Sequence, residues 1–266
     1  MGMRELYNKN GVVHMPQALS KQSLELAYAA YEWSLAHPGP GGGNIPSKTT
    51  GTFYQDLANP DAFVNYDALI HHYDIRAILE SLFIGEHAWF MYEQVFKKQG
   101  AEIRRTPWHQ DTPYLPVRGV DLAVFWISFD KLDAYGTLEF VEESHRQTLY
   151  DGSAFDPRDD TLGLYNDPAY PRLPDVEANR DDFNIVAFPV EPGDVVVFHP
   201  SILHGGGPTR ETDTRRTLSL RFFGDDAVVA ARPGSGTPGR NMHPLNQVGR
   251  EPDGSPFRHE DFPQIY

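Results

Sequence analysis

Three segments of the chain place a histidine two residues before an aspartate. They are His72/Asp74, His109/Asp111 and His259/Asp261. Only the second lies among residues with a strand pattern, where side chains two positions apart project from the same face and can bind one ion. His72 lies in a helical pattern, in which residues two apart point in different directions, and no histidine follows His259. The spacing therefore predicts that His109 and Asp111 share a metal ion.

A third metal ligand is predicted after a later β-branched segment, at His204, which three glycines follow. Glycines let the backbone approach a ligand closely. His199 is the other candidate, but alternation from Val195 and Val197 places it on their packed face, where a structural histidine is expected. Two histidines and one carboxylate leave open positions on an octahedral metal, as in non-haem Fe(II) oxygenases. A chance grouping of structural histidines is one alternative, and a zinc hydrolase, for which no general base can be named, is another.

The segment after His204 has a polar strand face. If it is a strand, Arg215, Thr217 and Ser219 project from one side and Arg216 from the other. A guanidinium beside two hydroxyls suits a small dicarboxylate, because arginine binds carboxylates through two parallel hydrogen bonds. The alternative is an exposed pair of arginines that forms ion pairs with surface acids.

The rest of the sequence indicates which elements position these residues. Apolar residues at helical spacing predict helices over about 20–37 and 60–85. Short strands rich in β-branched and aromatic residues are predicted at 89–96, 119–129, 137–141, 185–189, 194–198 and 217–223. The strand around 122–127 is apolar on both faces, so it should lie between a sheet interior and covering helices. The patterns predict an α+β protein with a helix-covered β-core.

No linker or internal repeat divides the chain, which predicts one domain over 1–266. Residues 1–86 are predicted to be mainly helical, 87–225 to form the β-core and 226–266 to form a C-terminal extension. Residues 150–184 are dense in Asp, Pro, Gly and Arg with little periodicity. Because loops this long within a compact domain are usually functional lids or disordered, a lid-like insert is predicted.

Composition limits the partners. The net charge of −14 disfavours nucleic acid and anionic membranes, and the absence of cysteine excludes disulfides, thiolate catalysis and cysteine-bound metals. The sequence shows no apolar stretch of membrane-spanning length and no secretory signal, so a cytoplasmic location is expected. A cluster of basic residues around the metal motif keeps an anionic small-molecule substrate among the candidates. No oligomeric state is indicated.

Five motifs together resemble the phytanoyl-CoA dioxygenase family of Fe(II)/2-oxoglutarate oxygenases. They are WHQDTPY from residue 108, FWISFD from 125, LEFVEESHR from 138, HPSILHG from 199 and RRTLSLRFFGDD from 215. The resemblance runs from the N-terminal helix to the last residues. It implies a double-stranded β-helix, a jelly-roll core with flanking N-terminal helices.

The resemblance also implies roles for single residues. It implies that His109, Asp111 and His204 bind Fe(II) and that Arg215 binds the co-substrate 2-oxoglutarate. A lysine on the strand before the metal motif helps to bind the co-substrate in the family; Lys97 matches it best, with Lys98 one register away. A family tryptophan downstream of the metal motif is matched by Trp126.

The activity that the resemblance implies is decarboxylation of 2-oxoglutarate to succinate and CO2 with O2, coupled to hydroxylation of an unactivated C–H bond of a small molecule. Desaturation, epimerisation and ring formation at the same site are alternatives, as is a non-catalytic, cupin-like metal-binding protein that would have no need of Arg215. Asp111 argues against an iron halogenase, in which a small residue replaces the carboxylate. A CoA thioester fits the family name but not the net charge.

Aromatic and basic residues near the metal motif are the candidates for substrate binding. They are Tyr92, Arg104, Arg105, Tyr114 and Arg118. A structural or surface role is the alternative for each of them. Residues of the 150–184 insert are expected to close over the substrate.

Overall fold

The chain folds into two antiparallel β-sheets with helices packed on the outside of the larger one. The computed structural model of the protein describes residues 2–45, 51–156, 158–233 and 243–266. The helices are α1 (Met3–Asn10), α2 (Lys21–Ala36), α3 (Ala62–Ile70), α4 (Tyr73–Leu82) and α5 (Pro244–Val248). The strands are β1 (Val12–Met15), β2 (Gly43–Asn44), β3 (Thr52–Leu57), β4 (Ala88–Gln99), β5 (Thr106–His109), β6 (Val117–Arg118), β7 (Leu122–Ser128), β8 (Leu138–Val141), β9 (Ile185–Ala187), β10 (Val195–Phe198), β11 (His204–Gly206), β12 (Thr214–Gly224) and β13 (Val228–Val229).

The larger sheet has the strand order β1-β10-β7-β12-β4-β3-β2, and the second sheet has the order β5-β11-β8-β9. Every neighbouring pair in both sheets is antiparallel. Strands β6 and β13 form a separate pair. Apart from β2–β3, β3–β4 and β8–β9, the neighbouring strands of both sheets are not consecutive in the chain, so residues far apart in the sequence meet across the sheets.

Alternation along β12 gives the larger sheet two different faces. Leu218, Leu220 and Phe222 belong to the apolar core shared with the helices. The intervening residues Ser219 and Arg221 project from the opposite face, as alternation requires, and lie across from residues of β7 that contact the second sheet. The polar face of β12 therefore lies between the two sheets.

The space between the sheets holds a second apolar cluster. Val124 and Trp126 of β7 and Phe198 of β10 pack there with Leu138 and Phe140 of β8. All five side chains are buried, and fully burying a large apolar side chain contributes roughly 1.5–3 kcal/mol. This cluster fixes how the strands that carry the polar residues face each other.

The predicted helices are present, and one of them is interrupted. Helix α2 begins after Ser20, whose hydroxyl accepts a hydrogen bond from Ser23 N at 3.3 Å, as an N-cap does. The stretch predicted as one helix over 60–85 forms α3 and α4 instead. His72 separates them because its backbone is extended, and its Nδ1 accepts from Asp74 N at 3.2 Å.

The six predicted strands are present with shifted ends. The expectation that residues 1–86 are mainly helical was incomplete, because this region also contains β1 and β3, which join β10 and β4 in the larger sheet. Both strands are short and only partly apolar, so their patterns are weak signals. Among the described residues, no helix has the length and apolar character that crossing a membrane requires.

The 150–184 insert is irregular but held by specific contacts. Its first part is a hairpin in which Ser153 pairs with Gly163, and the Asp151 carboxylate accepts a hydrogen bond from Asn166 N at 2.8 Å. Leu173 and Val176 are buried against the second sheet. Residue 157 of the insert and residues 234–242 of the C-terminal extension lie outside the described part. The function of the insert as a lid remains a prediction.

Candidate functional site

Three metal-binding side chains meet where the second sheet faces the larger one. His109 ends β5 and His204 begins β11, and the two residues are direct partners in the ladder. Their ring centroids are 4.3 Å apart. Asp111 follows β5, and one ligand atom from each of the three residues lies within 4.8 Å of the others. The structure thus brings together the three residues that the sequence predicted as ligands, and all three are buried.

Both imidazole rings are oriented by backbone carbonyls. His109 Nδ1 lies 2.8 Å from Pro107 O, and His204 Nδ1 lies 3.0 Å from Ile202 O. A carbonyl only accepts hydrogen bonds, so Nδ1 carries the proton and the Nε2 lone pair is free. The Nε2 atoms lie 3.4 and 3.8 Å from Asp111 Oδ1. Two neutral imidazoles and one carboxylate that converge in this way fit a divalent transition metal.

The charge state of these side chains also suits a metal. Burial, followed by the neighbouring His109, lowers the pKa of His204 to about 4, so its ring is neutral at pH 7. Burial alone would raise the pKa of Asp111, but the charge of Arg221 holds it well below its usual range. The Asp111 carboxylate is therefore ionised and the His204 imidazole is neutral, as metal binding requires.

Arg221 is a site residue that the sequence analysis missed. Its Nη2 donates to Asp111 Oδ2 at 2.8 Å and to Gln94 Oε1 at 2.8 Å, and its guanidinium lies 4.7 Å from the centre of the Tyr92 ring. A signal was present, because Arg221 stands six residues after Arg215 and alternation places both on the same face of one strand. Arg221 fixes the carboxylate so that Oδ1 points towards the two histidines.

The loop that carries Asp111 is tied to the loop before β11. The backbone N–H groups of Asp111 and Thr112 both donate to Pro200 O, at 2.7 and 3.0 Å. Thr112 and Ser201 join their hydroxyl groups at 2.7 Å, and the Gln110 amide donates to Ser201 O at 2.7 Å. These bonds hold the segment that carries Asp111 at a fixed distance from the segment that leads to His204.

Arg215 is buried on the polar face of β12. Its Nε donates to Gly136 O at 2.9 Å, and its guanidinium lies 5.4 Å from the centre of the Trp126 ring. In the described part of the chain no carboxylate forms an ion pair with it, and burial lowers its pKa to about 10. Gly207, at φ +66°, makes room for it, since a Cβ there would lie 2.4 Å from Arg215 Nη2.

Lys98, and not Lys97, accompanies Arg215. Lys98 is the partner of Arg215 in the β4–β12 ladder, whereas Lys97 is paired with Arg216 and shares the outer face of the sheet with it. Lys98 is completely buried, and its Nζ donates to Gly207 O at 2.9 Å and to Arg104 O at 3.2 Å. The sequence analysis preferred Lys97, and the structure corrects this choice to the next residue, Lys98. Alternation along β4 places the Lys97 side chain on the opposite face of the sheet from Arg215.

The two hydroxyl residues of the predicted polar face are also in place. Thr217 and Ser219 lie opposite Ser128 and Trp126 of β7, and both are buried. Thr217 Oγ1 is a buried polar atom with no hydrogen-bond partner among the described residues. A buried hydroxyl without a partner is costly, so it is available to a bound polar ligand.

The remaining histidines discussed above lie outside the metal-binding group. His199 follows β10, accepts a hydrogen bond from Ser201 N at 3.1 Å and lies 3.3 Å from Gly119 O. Burial lowers its pKa to about 3. His72 caps α4, and His259 accepts from Asp261 N at 3.2 Å. The structural interpretation of His199 fits these contacts.

The basic residues predicted for substrate binding are all neutralised by acids. Arg104 pairs with Asp160 at 3.4 Å. Arg118 is exposed and pairs with Asp253 at 2.6 Å. Arg105 contacts Glu177 and forms a 2.8 Å ion pair with Glu139. None of the three offers an unpaired charge to an anionic substrate.

The two predicted aromatic residues lie close to the metal-binding side chains. Tyr92 stacks with Arg221, which binds Asp111. The Tyr114 ring lies 6.4 Å from the His109 ring, and its hydroxyl donates to Ser153 O at 2.8 Å. Tyr114 therefore connects the metal-binding segment to the insert.

Sequence comparison identifies the family. Residues 7–217 match the family described as phytanoyl-CoA dioxygenase. The chain belongs to the phytanoyl-CoA dioxygenase family. It is similar to a probable phytanoyl-CoA dioxygenase of Caenorhabditis elegans, 32% identical over 48% of this chain and 39% of that protein. It is also similar to the peroxisomal phytanoyl-CoA dioxygenase of Mus musculus, 24% identical over 84% of this chain and 68% of that protein. The match to the nematode relative thus spans well under half of that protein's length.

The fold is shared with solved structures of iron enzymes. The non-haem α-ketoglutarate-dependent epimerase SnoN from nogalamycin biosynthesis superposes with a TM-score of 0.70, at 20% identity, over 99% of this chain and 97% of that one. At this identity the likeness shows a common architecture of antiparallel sheets and helices. In this member of the phytanoyl-CoA dioxygenase family, the site residues are assigned from the distances and hydrogen bonds of the chain itself.

Proposed function

We propose that the protein is a non-haem Fe(II)- and 2-oxoglutarate-dependent dioxygenase that hydroxylates an unactivated C–H bond of a small molecule. The balanced reaction consumes the substrate, 2-oxoglutarate and O2 and releases the hydroxylated product, succinate and CO2. The observation that carries the proposal is that the structure contains both the His109, Asp111 and His204 group and Arg215. Arg215 is a buried cation without a carboxylate partner among the described residues. We further propose that the two sheets form a double-stranded β-helix, the jelly-roll core expected from the sequence.

The residues of the chain have separate functions in this proposal. His109, Asp111 and His204 would hold iron, which supplies the oxidising chemistry when bound with O2 and 2-oxoglutarate. Arg215 binds the distal carboxylate of 2-oxoglutarate through its terminal nitrogens. Lys98 adds a second buried cation on the same face, and Thr217 and Ser219 offer hydroxyl groups. Trp126 forms the apolar wall beneath the Arg215 guanidinium.

Burial of the co-substrate site has a chemical consequence. Electrostatic attraction between Arg215 and a dicarboxylate is stronger in a site that excludes water. A metal-binding protein without turnover, the cupin-like alternative, gains nothing from a buried arginine that has no internal acid partner. The structure therefore supports an enzyme better than a storage or sensor protein.

Epimerisation is a second candidate outcome, because the similar structure SnoN is described as an epimerase. It requires the same metal ligands and co-substrate contacts and differs in what happens to the substrate after C–H cleavage. Desaturation and ring formation belong to the same group of outcomes. A cytoplasmic location and a single domain over 1–266 remain predictions.

The proposal is tested by incubating the purified protein, reconstituted anaerobically with Fe(II), with 2-oxoglutarate and O2. We expect slow release of succinate and CO2 in equal amounts even without a substrate, and no release from the His109→Ala and Arg215→Ala variants. His72→Ala and His259→Ala serve as matched controls and should behave like the wild type. Turnover that persists in His109→Ala would contradict the site assignment.

A further inference from the structure

An apolar surface lies beside the metal-binding side chains, on the first hairpin of the insert. The Phe155 ring is 5.2 Å from the His109 ring, and the Tyr114 ring lies 6.0 Å from Phe155 at an angle of 20°. Gly152 separates Tyr114 from Leu164, since a Cβ on it would lie 3.2 and 3.3 Å from those two side chains. We call Tyr114, Phe155 and Leu164 the aromatic rim. Phe155 and Leu164 are 41% and 42% exposed.

The backbone holds Phe155 in an unfavourable conformation. Its φ angle is +52°, in the left-handed region that residues other than glycine, asparagine and aspartate rarely adopt. Two hydrogen bonds hold the backbone in this conformation. Phe155 N donates to Ser153 Oγ at 2.9 Å, and Ala154 N donates to Leu162 O at 2.8 Å. Strained residues of this kind cluster at functional sites. Here the strain keeps a large apolar ring partly in solvent, next to a metal ligand.

The charges around the rim do not favour an anionic ligand. The three arginines nearest to it in the sequence are paired with acids: Arg158 with Asp156, Arg118 with Asp253, and Arg172 with Asp159. Two surface cavities, of about 310 and 420 Å³, contain no metal ligand in their linings. The three side chains of the rim, by contrast, carry no charge, and two of them are aromatic rings next to His109.

We propose that the aromatic rim contacts the substrate, and that the substrate presents a flat, uncharged, conjugated ring system to it. This inference rests on the proposed function, since it takes His109 as a metal ligand. Aromatic rings gain most from partners that stack face to face with an offset or meet edge to face. A ring packed on Phe155 would lie next to His109 and hence close to the position where the C–H bond is cleaved. Tyr114 and Phe155 are nearly parallel and offer flat faces, which suit a ring better than an extended chain.

The test measures binding of a neutral fluorescent probe, N-phenyl-1-naphthylamine, to the full-length protein without turnover. Phe155→Ala should weaken probe binding by about threefold to tenfold, because one aromatic contact is lost. Phe155→Gly should weaken it equally while relieving the positive φ, so backbone strain at this position does not account for the loss of binding. Tyr73→Ala removes a 75% exposed aromatic side chain on α4 and should leave binding unchanged.

Two further measurements decide the position and the class of the ligand. In Mn(II)-loaded protein the NMR resonances of the probe should broaden, and they should not broaden in His109→Ala. Anthraquinone should displace the probe at lower concentrations than n-dodecanol. Unchanged probe binding in both Phe155 variants, or stronger displacement by n-dodecanol, would overturn the inference. Failure of the wild type to bind Mn(II), with Phe155-dependent probe binding intact, would count against the proposed metal site and leave the rim supported.

Discussion

Arg221 and Asp111 form a buried ion pair of 2.8 Å that joins β12 of the larger sheet to the loop after β5 of the second sheet. Arg221 takes Oδ2 of the carboxylate, and Oδ1 is left facing the two imidazoles. The ion pair therefore divides the two oxygens between a structural contact and metal binding. Side chains that orient metal ligands in this way affect metal affinity nearly as strongly as the ligands themselves.

Arg221→Gln should weaken binding of Fe(II), or of Co(II) as a spectroscopic substitute, by about tenfold to a hundredfold. The physical reason is that Asp111 loses both its orientation and the charge that stabilises it. Arg221→Lys should restore part of the affinity because it keeps the charge. Arg216→Gln, on the opposite face of the same strand, is the control, since Arg216 pairs with Asp130. Equal metal affinities in Arg221→Gln and the wild type would show that the ion pair has no function in positioning Asp111.

Asp111→Gly should create a binding site for a small anion. Removal of the carboxylate leaves Arg221 buried and unpaired, and its Nε and Nη1 already have no hydrogen-bond partner among the described residues. A buried charge without a partner is strongly unfavourable, so chloride or formate should bind in its place. Because a ligand that binds only the folded state raises stability, the melting temperature of metal-free Asp111→Gly should rise with chloride concentration. The double variant Asp111→Gly/Arg221→Gln should lose this dependence.

The Asp111 carboxylate also affects which product the enzyme forms. Wild-type enzyme under ordinary chloride should give no halogenated product, because Asp111 occupies the position that a halide would need. Asp111→Gly should lose most of its hydroxylation activity. Detection of halogenated product from the wild type would contradict the assignment of Asp111 as a ligand.

Arg215→Ala should weaken 2-oxoglutarate binding by on the order of a hundredfold or more, since truncating one member of a buried charge pair typically costs about 3–5 kcal/mol. Lys98→Met also removes a cation from this face but leaves Arg215 in place. It should therefore weaken 2-oxoglutarate binding less, by about tenfold. The measurement is an anaerobic titration of each Fe(II)-loaded variant, followed by its metal-to-ligand charge-transfer band. Arg216→Ala and Lys97→Met probe the outer face and should bind normally. A larger effect of Lys97→Met than of Lys98→Met would show that the observed strand register does not govern co-substrate binding.

The sequence was most informative where residue type and strand periodicity coincide. His109, Asp111 and His204 could be predicted because few residue types bind metals, whereas the second ground for the prediction, strand alternation, applies only as far as His109, since Asp111 lies just beyond the end of β5. Arg215 followed from the same rule, and Arg221 could have been found by extending it to the end of β12. Lys97 was preferred over Lys98 because the family match fixes a position only to within one residue, whereas the ladder with Arg215 decides the face.

Features that depend on long-range packing could not be read from the sequence. The ion pairs of Arg104, Arg105 and Arg118 join residues 34 to 135 positions apart, and no local pattern predicts such partners. The position of Phe155 next to His109 depends on a hairpin within an irregular insert. Strands β1 and β3 were missed because four to six partly polar residues do not form a distinctive pattern.

A pH-dependent effect on stability is expected from Glu93, which lies in β4 next to Gln94. Glu93 is 1% exposed, its Oε1 accepts a hydrogen bond from Asn59 N at 2.9 Å, and its Oε2 has no partner among the described residues. Burial raises the pKa of its carboxyl group from 4.5 to about 8. Between these two pH values the folded protein retains a proton that the unfolded chain has lost. The free energy of unfolding therefore falls as pH rises from about 4.5 to about 8, by up to ~1.4 kcal/mol per pH unit.

Glu93→Gln should remove this dependence, because the amide is neutral at every pH and nearly the same shape. Urea unfolding of the metal-free protein should show little difference between variant and wild type near pH 5 and a more stable variant near pH 8, with a gap of the order of a few kcal/mol. Glu25→Gln, at an exposed position of α2 beside Lys21, is the matched control and should follow the wild type at both pH values. If the gap between Glu93→Gln and the wild type is instead the same at pH 5 and pH 8, Glu93 is ionised in the folded protein and Arg221 has a second acid partner nearby.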